Sequence, residues 1–222
     1  MKTPAGITEK NFCNLLAKHC NSSMVSDILC EMGHDTSIIG LNLNLPNKRI
    51  FGKASTLKLR KLKNNESPDG IYCALESYGE IDDGDVIIVE TEIPERAYFG
   101  ELNANLALRA GAVGTIVCGR TRDIECISSL DYPVFSTGYS SADIKKYGTL
   151  DGINVKIDCF GVPVSPGDYA FADINGAAII PSDIIDTVVI ELRKTVEKEM
   201  LVKSNIMSDK KAEEIPKITG NF

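Results

Sequence analysis

Phe99-Gly100-Glu101-Leu102-Asn103, continuing as a helix to Ala110 and then as Gly114-Thr115-Ile116-Val117-Cys118, is the stretch on which the fold turns. A glycine turn opens directly into a helix, and a short apolar strand follows. Just upstream, Asp82-Asp83-Gly84 forms a turn, and Asp85 leads into Val86-Ile87-Ile88-Val89, apolar enough to be a strand buried on both faces. Just downstream, Asp123 to Leu130 reads as a short helix and Pro133 to Ser136 as another strand. Strands alternating with helices in this way imply a parallel sheet.

The flanks read differently. Glu9 to His19 forms a helix with Phe12, Leu15 and Leu16 on one face. A second helix carries Met24, Val25, Ile28, Leu29 and Met32 as its apolar stripe, with Ser22 or Ser23 as cap and Gly33 as stop. Ala54 to Leu62 is a strand, and Pro68 opens a helix through Tyr78. After the middle, Ile153 to Cys159, Tyr169 to Ala172 and Ala177 to Ile180 are strands separated by Gly-rich turns, as in an antiparallel meander. Pro181 closes the last strand, and Ser182 or Asp183 caps a long helix to about Lys203. The expected architecture is α/β: a layered sandwich with a central mixed sheet and outer helices. Residues 1–203 form one domain and residues 204–222 a polar tail.

The bulk composition sets limits. With 222 residues, 43% hydrophobic and 25% charged, the chain suits one globular domain with a sizeable core. No apolar run is long enough to span a bilayer. A net charge of −7 argues against sequence-independent nucleic-acid binding, which needs clustered Lys and Arg. The seven cysteines, Cys13, Cys20, Cys30, Cys73, Cys118, Cys126 and Cys159, are odd in number and lack CxxC spacing. They read as reduced, mostly buried thiols of a cytoplasmic protein. The two histidines, His19 and His34, lie near no Cys or carboxylate at zinc-ligand spacing.

Two segments can carry chemistry. The first N–H groups of a helix lack internal partners, and the dipole there is positive, so the helix opening at Gly100 can bind an anion such as a carboxylate. Taken alone, such a turn is more often a plain helix start, with Glu101 complementing the dipole. The second segment, Gly119-Arg120-Thr121-Arg122-Asp123, lies beyond the carboxyl end of a strand, where open α/β sheets bind ligands. An Arg beside an Asp pairs an anion clamp with a hard-cation ligand. The bland alternative is an Asp123 that caps the next helix and an Arg122 in a surface ion pair. Helix and strand should return the chain to one edge, which places Glu101 beside Arg122 and Asp123.

Glu101, twenty residues, then Arg122-Asp123 resembles the signature of the 4-hydroxy-4-methyl-2-oxoglutarate aldolase and RraA-like family. Ser23 to Leu29, Phe51-Gly52-Lys53-Ala54, Gly84 to Val89, Gly100-Glu101-Leu102, Pro133-Val134-Phe135, Pro166-Gly167-Asp168, Asp173-Ile174-Asn175-Gly176 and Ile180-Pro181 resemble its other motifs, in the same order. The resemblance implies a swivelling-domain-like sandwich assembled as a homotrimer or hexamer. It implies a Mg²⁺- or Mn²⁺-dependent lyase that cleaves a 4-hydroxy-2-oxo acid to pyruvate, decarboxylates oxaloacetate, or both. Asp123 would bind the metal, Glu101 would hold it through water, and Arg122 would grip the 2-oxo oxygen. Gly100, Leu102 and Asn103 would receive the substrate carboxylate. A neighbouring subunit's Glu would complete the outer shell, with Glu197 and Glu199 as candidates and Glu199 the one carried forward. The chain departs from the family pattern at Glu101, where Asp is usual, at Cys118, where Asp is frequent, and at Arg120, where a small residue is usual. The rival reading is a non-catalytic regulator that binds an RNA-degrading endonuclease. The acid at Glu101, which such an inhibitor lacks, favours the enzyme. A methyltransferase would need a Gly-rich loop after the first strand, and none has that form.

Overall fold

The computed structural model describes residues 19–208 and 211–216. The helix expected from Glu9, and Cys13 with it, lie outside the described residues. A nine-stranded mixed sheet forms the centre, in the order β1 (Ser37–Ile38), β13 (Gly176–Ile180), β12 (Tyr169–Asp173), β3 (Ile50–Lys61), β4 (Val86–Thr91), β5 (Gly114–Val117), β7 (Val134–Ser136), β2 (Asn42–Leu43). The ninth strand, β9 (Gly148–Ile153), pairs with the far half of β3. The run β3–β4–β5–β7 is parallel, as strand–helix alternation requires, and β12 and β13 are antiparallel.

Side-chain alternation along β3 sorts the core into faces. Phe51, Leu57 and Leu59 point to the helical side, and Ile50 and Ala54 point to the other. On the helical side, α1 (Ser22–Glu31) and α4 (Ile185–Ile206) cover one half of the sheet through Val25, Leu29, Val188 and Leu192. The other half is covered by α2 (Glu101–Ala110), α3 (Ile124–Ser129) and a 3-10 segment (Pro68–Gly79) through Ala104, Ala107, Ile127 and Ala74. The opposite face packs on a hairpin of β10 (Ile157–Cys159) and β11 (Val162–Val164). Val86 and Ile88 face the hairpin, while Ile87 and Val89 face the helices, which explains the unbroken apolar run.

Several expectations change. Asn21, rather than Ser22 or Ser23, caps α1 by accepting from Met24 N at 2.9 Å. Ser22 is needed elsewhere: its N–H and Oγ donate to Asp173 at 2.9 and 2.7 Å, tying α1 to the β12–β13 turn. Neither Ser182 nor Asp183 caps α4, which starts from Ile184 without a side-chain cap and ends at Ile206. Ser182 N instead donates to the buried Asp168 at 3.0 Å. Ile153–Cys159 is not one strand, because Asn154 turns left-handed (φ 50°) and separates β9 from β10. Within the segment read as a polar tail, Asn205 and Ile215 are buried.

The cysteine reading is corrected. Cys118 and Cys159 form a disulfide with a Cα–Cα separation of 5.6 Å, joining the end of β5 to the hairpin. Cys30, Cys73 and Cys126 are exposed rather than buried. Spacing along the chain carries no trace of a contact made across 41 residues. Among the described residues, no helix is long and apolar enough to cross a membrane.

Candidate functional site

Phe99 organises the site. It bridges to Thr121, and its carbonyl accepts from Thr121 Oγ1 at 2.7 Å and from Arg122 N at 3.0 Å. These bonds clamp the turn before α2 against the segment after β5. Two β-strand crossings therefore end at one mouth. β6 (Arg120–Thr121) then pairs in parallel with β8 (Gly138–Tyr139), and Ser140 N donates to Thr121 O at 2.9 Å. This lays Tyr139, Ser140 and Ser141 along the far wall of a cleft of about 420 Å³, whose near wall is Arg122, Asp123 and Ile124. That size suits a small metabolite.

Asp123 does not cap its own helix. It sits in the left-handed region (φ 56°, ψ 35°), a conformation Asp tolerates, and makes no side-chain cap to α3. Its Oδ2 accepts instead from Glu101 N at 3.2 Å, the first amide of α2. Gly100, the N-cap of α2, has no side chain to do this. Its glycine identity is dictated by the same contact: a Cβ there would lie 2.5 Å from Asp123 Oδ2 and 3.1 Å from Arg122 Nε. Gly111, at φ 94°, ends the helix in the left-handed cap that glycine favours.

Arg122 lies between two carboxylates. Its Nε is 3.4 Å from Asp123 Oδ2, and its Nη1 donates to Asp143 Oδ2 at 2.6 Å. Asp143 was absent from the sequence-based set, and nothing in Ser140-Ser141-Ala142-Asp143 marks it, because its role depends on a partner distant in sequence. Arg120 is exposed, and its Nη1 donates to Tyr139 O at 3.0 Å, so it buttresses the far wall. Asn103 uses its side chain locally, donating to Tyr98 O at 2.8 Å, and Leu102 is 77% exposed. The amides of Glu101, Leu102 and Asn103 belong to the helix turn that lacks internal acceptors. Asp123 takes the first of these.

Glu101 is exposed beside Cys126. Its carboxylate, helped by burial and by Asp123 and Glu125, pushes the Cys126 thiol above its ordinary pKa. One guanidinium thus stands between two carboxylates, Asp123 and Asp143, while the Glu101 side chain lies beside Cys126 at the adjoining helix start. Glu199 lies elsewhere, in the groove between α1 and α4, ion-paired with Lys203 at 2.7 Å. Glu197 shares that helix. Among the described residues, no three of His, Cys, Asp and Glu converge as a closed metal cage. Exposed carboxylates with few direct protein ligands suit a hydrated hard cation, Mg²⁺ or Mn²⁺, which keeps several waters.

Other motif acids are structural. Asp85 accepts from Asp82 N at 3.0 Å, Asp168 from Ser165 N at 2.8 Å, and Asp173 from Ser22 and Asn175.

The RraA-like family model, described as Aldolase/RraA, matches residues 22–179. A Halalkalibacterium halodurans protein named "Putative 4-hydroxy-4-methyl-2-oxoglutarate aldolase" is 30% identical over 192 residues, covering 84% of this chain and 87% of that protein. Protein DlpA of Legionella pneumophila is 30% identical over 191 residues, and there the match covers 83% of this chain but spans only 31% of the relative's length. In structure, an unusual member of the RNase ES inhibitor RraA protein family from Streptomyces coelicolor superposes with a TM-score of 0.79 at 21% identity, over 90% of this chain and 100% of that one. With the family model spanning the sheet, the Gly100 turn and the Arg122-Asp123 segment together, the chain belongs to the RraA-like family.

Proposed function

We propose that the protein is a divalent-metal-dependent lyase that cleaves a 4-hydroxy-2-oxo acid to pyruvate, decarboxylates oxaloacetate, or both. The observation that carries this reading is the contact between Asp123 Oδ2 and Glu101 N, beside the Arg122 guanidinium. It gathers an anion clamp, helix-terminal amides and solvent-open carboxylates at one mouth.

Both reactions break the C3–C4 bond and leave its electron pair on the pyruvate half as an enolate. In aldol cleavage the 4-hydroxyl loses its proton as C4 becomes a carbonyl; in decarboxylation C4 leaves as CO₂. Protonation at C3 then gives pyruvate. The amides of Leu102 and Asn103 hold the substrate carboxylate, and this fixes the 2-oxo oxygen toward Arg122. Charge on that oxygen grows toward the transition state, so a guanidinium placed there lowers the barrier. A bound Mg²⁺ or Mn²⁺ would supply Lewis-acid stabilisation of the same charge, with Asp123 as ligand and Glu101 in its outer shell. It would also offset the excess of carboxylates, which by themselves repel an anionic substrate. Glu199 of a neighbouring subunit, in a homotrimer or hexamer, is the proposed further outer-shell acid. The relative named as an aldolase supports the reaction class.

The test is pyruvate release from a panel of 2-oxo acids, with Mg²⁺, with Mn²⁺ and with chelator. Metal-dependent release that chelator abolishes is the expected result. Silence across the panel, with binding to an RNA-degrading endonuclease, would favour the regulator suggested by the Streptomyces relative's description.

A further inference from the structure

Arg122 has five N–H donors in a planar fork, and how they are divided determines what the cleft can bind. Nη1 is taken by Asp143 Oδ2 at 2.6 Å, and Nε faces Asp123 Oδ2 at 3.4 Å. Among the described residues, the one side-chain hydrogen bond of Arg122 is that from Nη1, which leaves Nη2 without one. Asp143 is itself held from several directions. Its Oδ1 accepts from Lys145 N at 2.8 Å, and its carbonyl accepts from Arg96 Nη1 at 3.0 Å. Arg96 is stacked 3.4 Å from the centre of the Tyr147 ring. Asp143 also bridges to Ala97, and Ala97 N donates to Ala142 O at 2.8 Å. Next to it, Ile144 is buried at 2% exposure and donates to Ala97 O. Ala97 lies two residues before Phe99, so the segment that carries Asp143 is built onto the turn that leads into Gly100 and α2.

We infer that Asp143 is the positioning residue of the site: it anchors one edge of the Arg122 guanidinium so that Nη2 faces the ligand. This rests on the reading of Arg122 as the enolate-binding group. A long side chain at a half-exposed mouth otherwise samples many rotamers, and each wrong one loses the geometry on which transition-state stabilisation depends. Asp143 touches no reacting atom; it acts through Arg122. The chain carries the anchor on the loop after β8, where it engages Nη1 while Asp123 lies at Nε, so the anchor does not itself require a bound cation.

The experiment compares wild type with Asp143→Asn, Asp143→Ala and Asp143→Glu in the Mg²⁺-loaded protein. It measures oxaloacetate kinetics, melting temperature, and calorimetric affinity for oxalate, a planar enolate mimic, and for pyruvate. For Asn and Ala, kcat should fall roughly 10- to 100-fold with KM changed less than about threefold, since orientation counts most in the transition state. Oxalate affinity should fall by a similar factor and pyruvate affinity much less. Asp143→Glu should recover part of both. Melting temperature should move little in Asp143→Asn, which keeps an Oδ1 acceptor for Lys145 N and loses only a partly exposed ion pair. Wild-type turnover with unaltered kinetics in Asp143→Ala overturns the inference alone. So does an equal loss of oxalate and pyruvate affinity, or a fall in melting temperature that accounts for the lost activity. A wild-type protein that neither turns over oxaloacetate nor binds oxalate overturns the lyase reading, and the inference with it.

Discussion

Asp123 Oδ2 accepts a hydrogen bond from Glu101 N at 3.2 Å, so the acid that opens one helix caps a different one. The bond crosses 22 residues of sequence and fixes the distance between two sheet crossings. It gives Asp123 two separable duties: an N-cap for α2, and the exposed carboxylate that the proposed metal would use.

Asp123→Asn should separate them. Asn caps helices as well as Asp does, so stability should stay within about 1 kcal/mol of wild type. Loss of the charge should lower metal-dependent kcat/KM by at least about 100-fold. Thermal melts alongside pyruvate release check both halves, and full activity in this variant would remove Asp123 from the metal site.

Gly100→Ala should damage activity more than folding. Gly100 has an ordinary extended backbone (φ −146°), so a side chain causes no backbone strain. Its Cβ would instead meet Asp123 Oδ2 at 2.5 Å and displace the carboxylate. A fall in turnover of about 10- to 100-fold is expected, since misplacement of about 1 Å costs that much. Metal titration by calorimetry should show the same weakening.

Arg122→Lys keeps one positive charge and loses the fork. An ammonium cannot face Asp123, Asp143 and the ligand together. Turnover should fall at least about 100-fold, while stability changes by less than about 1 kcal/mol, as for partly exposed ion pairs. Steady-state kinetics and a denaturant titration test this pair of outcomes.

Asp173 should make stability depend on pH. Burial raises its pKa, but the N–H and Oγ–H of Ser22 and the donors of Asn175 outweigh burial and hold the carboxyl below its ordinary value. A depressed folded pKa means stability that is present above the unfolded value, near 3.9, and lost as pH falls through the lower folded one. Asp173→Ala should therefore cost about 1–3 kcal/mol at pH 7, where it strands the Ser22 donors. The gap between variant and wild type should narrow below about pH 4. Urea titrations at pH 7 and below pH 4 measure it.

The Cys118–Cys159 disulfide should be visible by thiol counting. Denatured protein should gain two titratable thiols on reduction. Cys159→Ala should lower stability by about 4 kcal/mol on the chain-entropy account of a 41-residue loop. An unchanged thiol count would show that the pair is reduced in solution.

Much of this architecture was legible from local pattern. Val86–Val89, Glu101–Ala110 and Gly114–Cys118 announce themselves by period and by flanking glycines, and the parallel run follows from their alternation. The juxtaposition of Glu101 with Arg122 and Asp123 was legible too, because a helix and a strand of ordinary length return the chain to the same edge. The capping assignments were not. Asp123, Ser22 and Ser182 all sit at helix starts by sequence, yet their hydrogen bonds go to α2, Asp173 and Asp168.

The sequence by itself determined the order of elements, the parallel middle and antiparallel end of the sheet, and the three residues at the mouth, because each depends on periodicity or on neighbours within one helix–strand unit. Only the tertiary structure decided that Asp143 grips Arg122, that Cys118 meets Cys159, and that Asp123 turns its carboxylate to another helix. Those pairings depend on where separate crossings of the sheet come to rest. A carboxylate, a thiol or a guanidinium has no local signature of the partner that packing will bring to it.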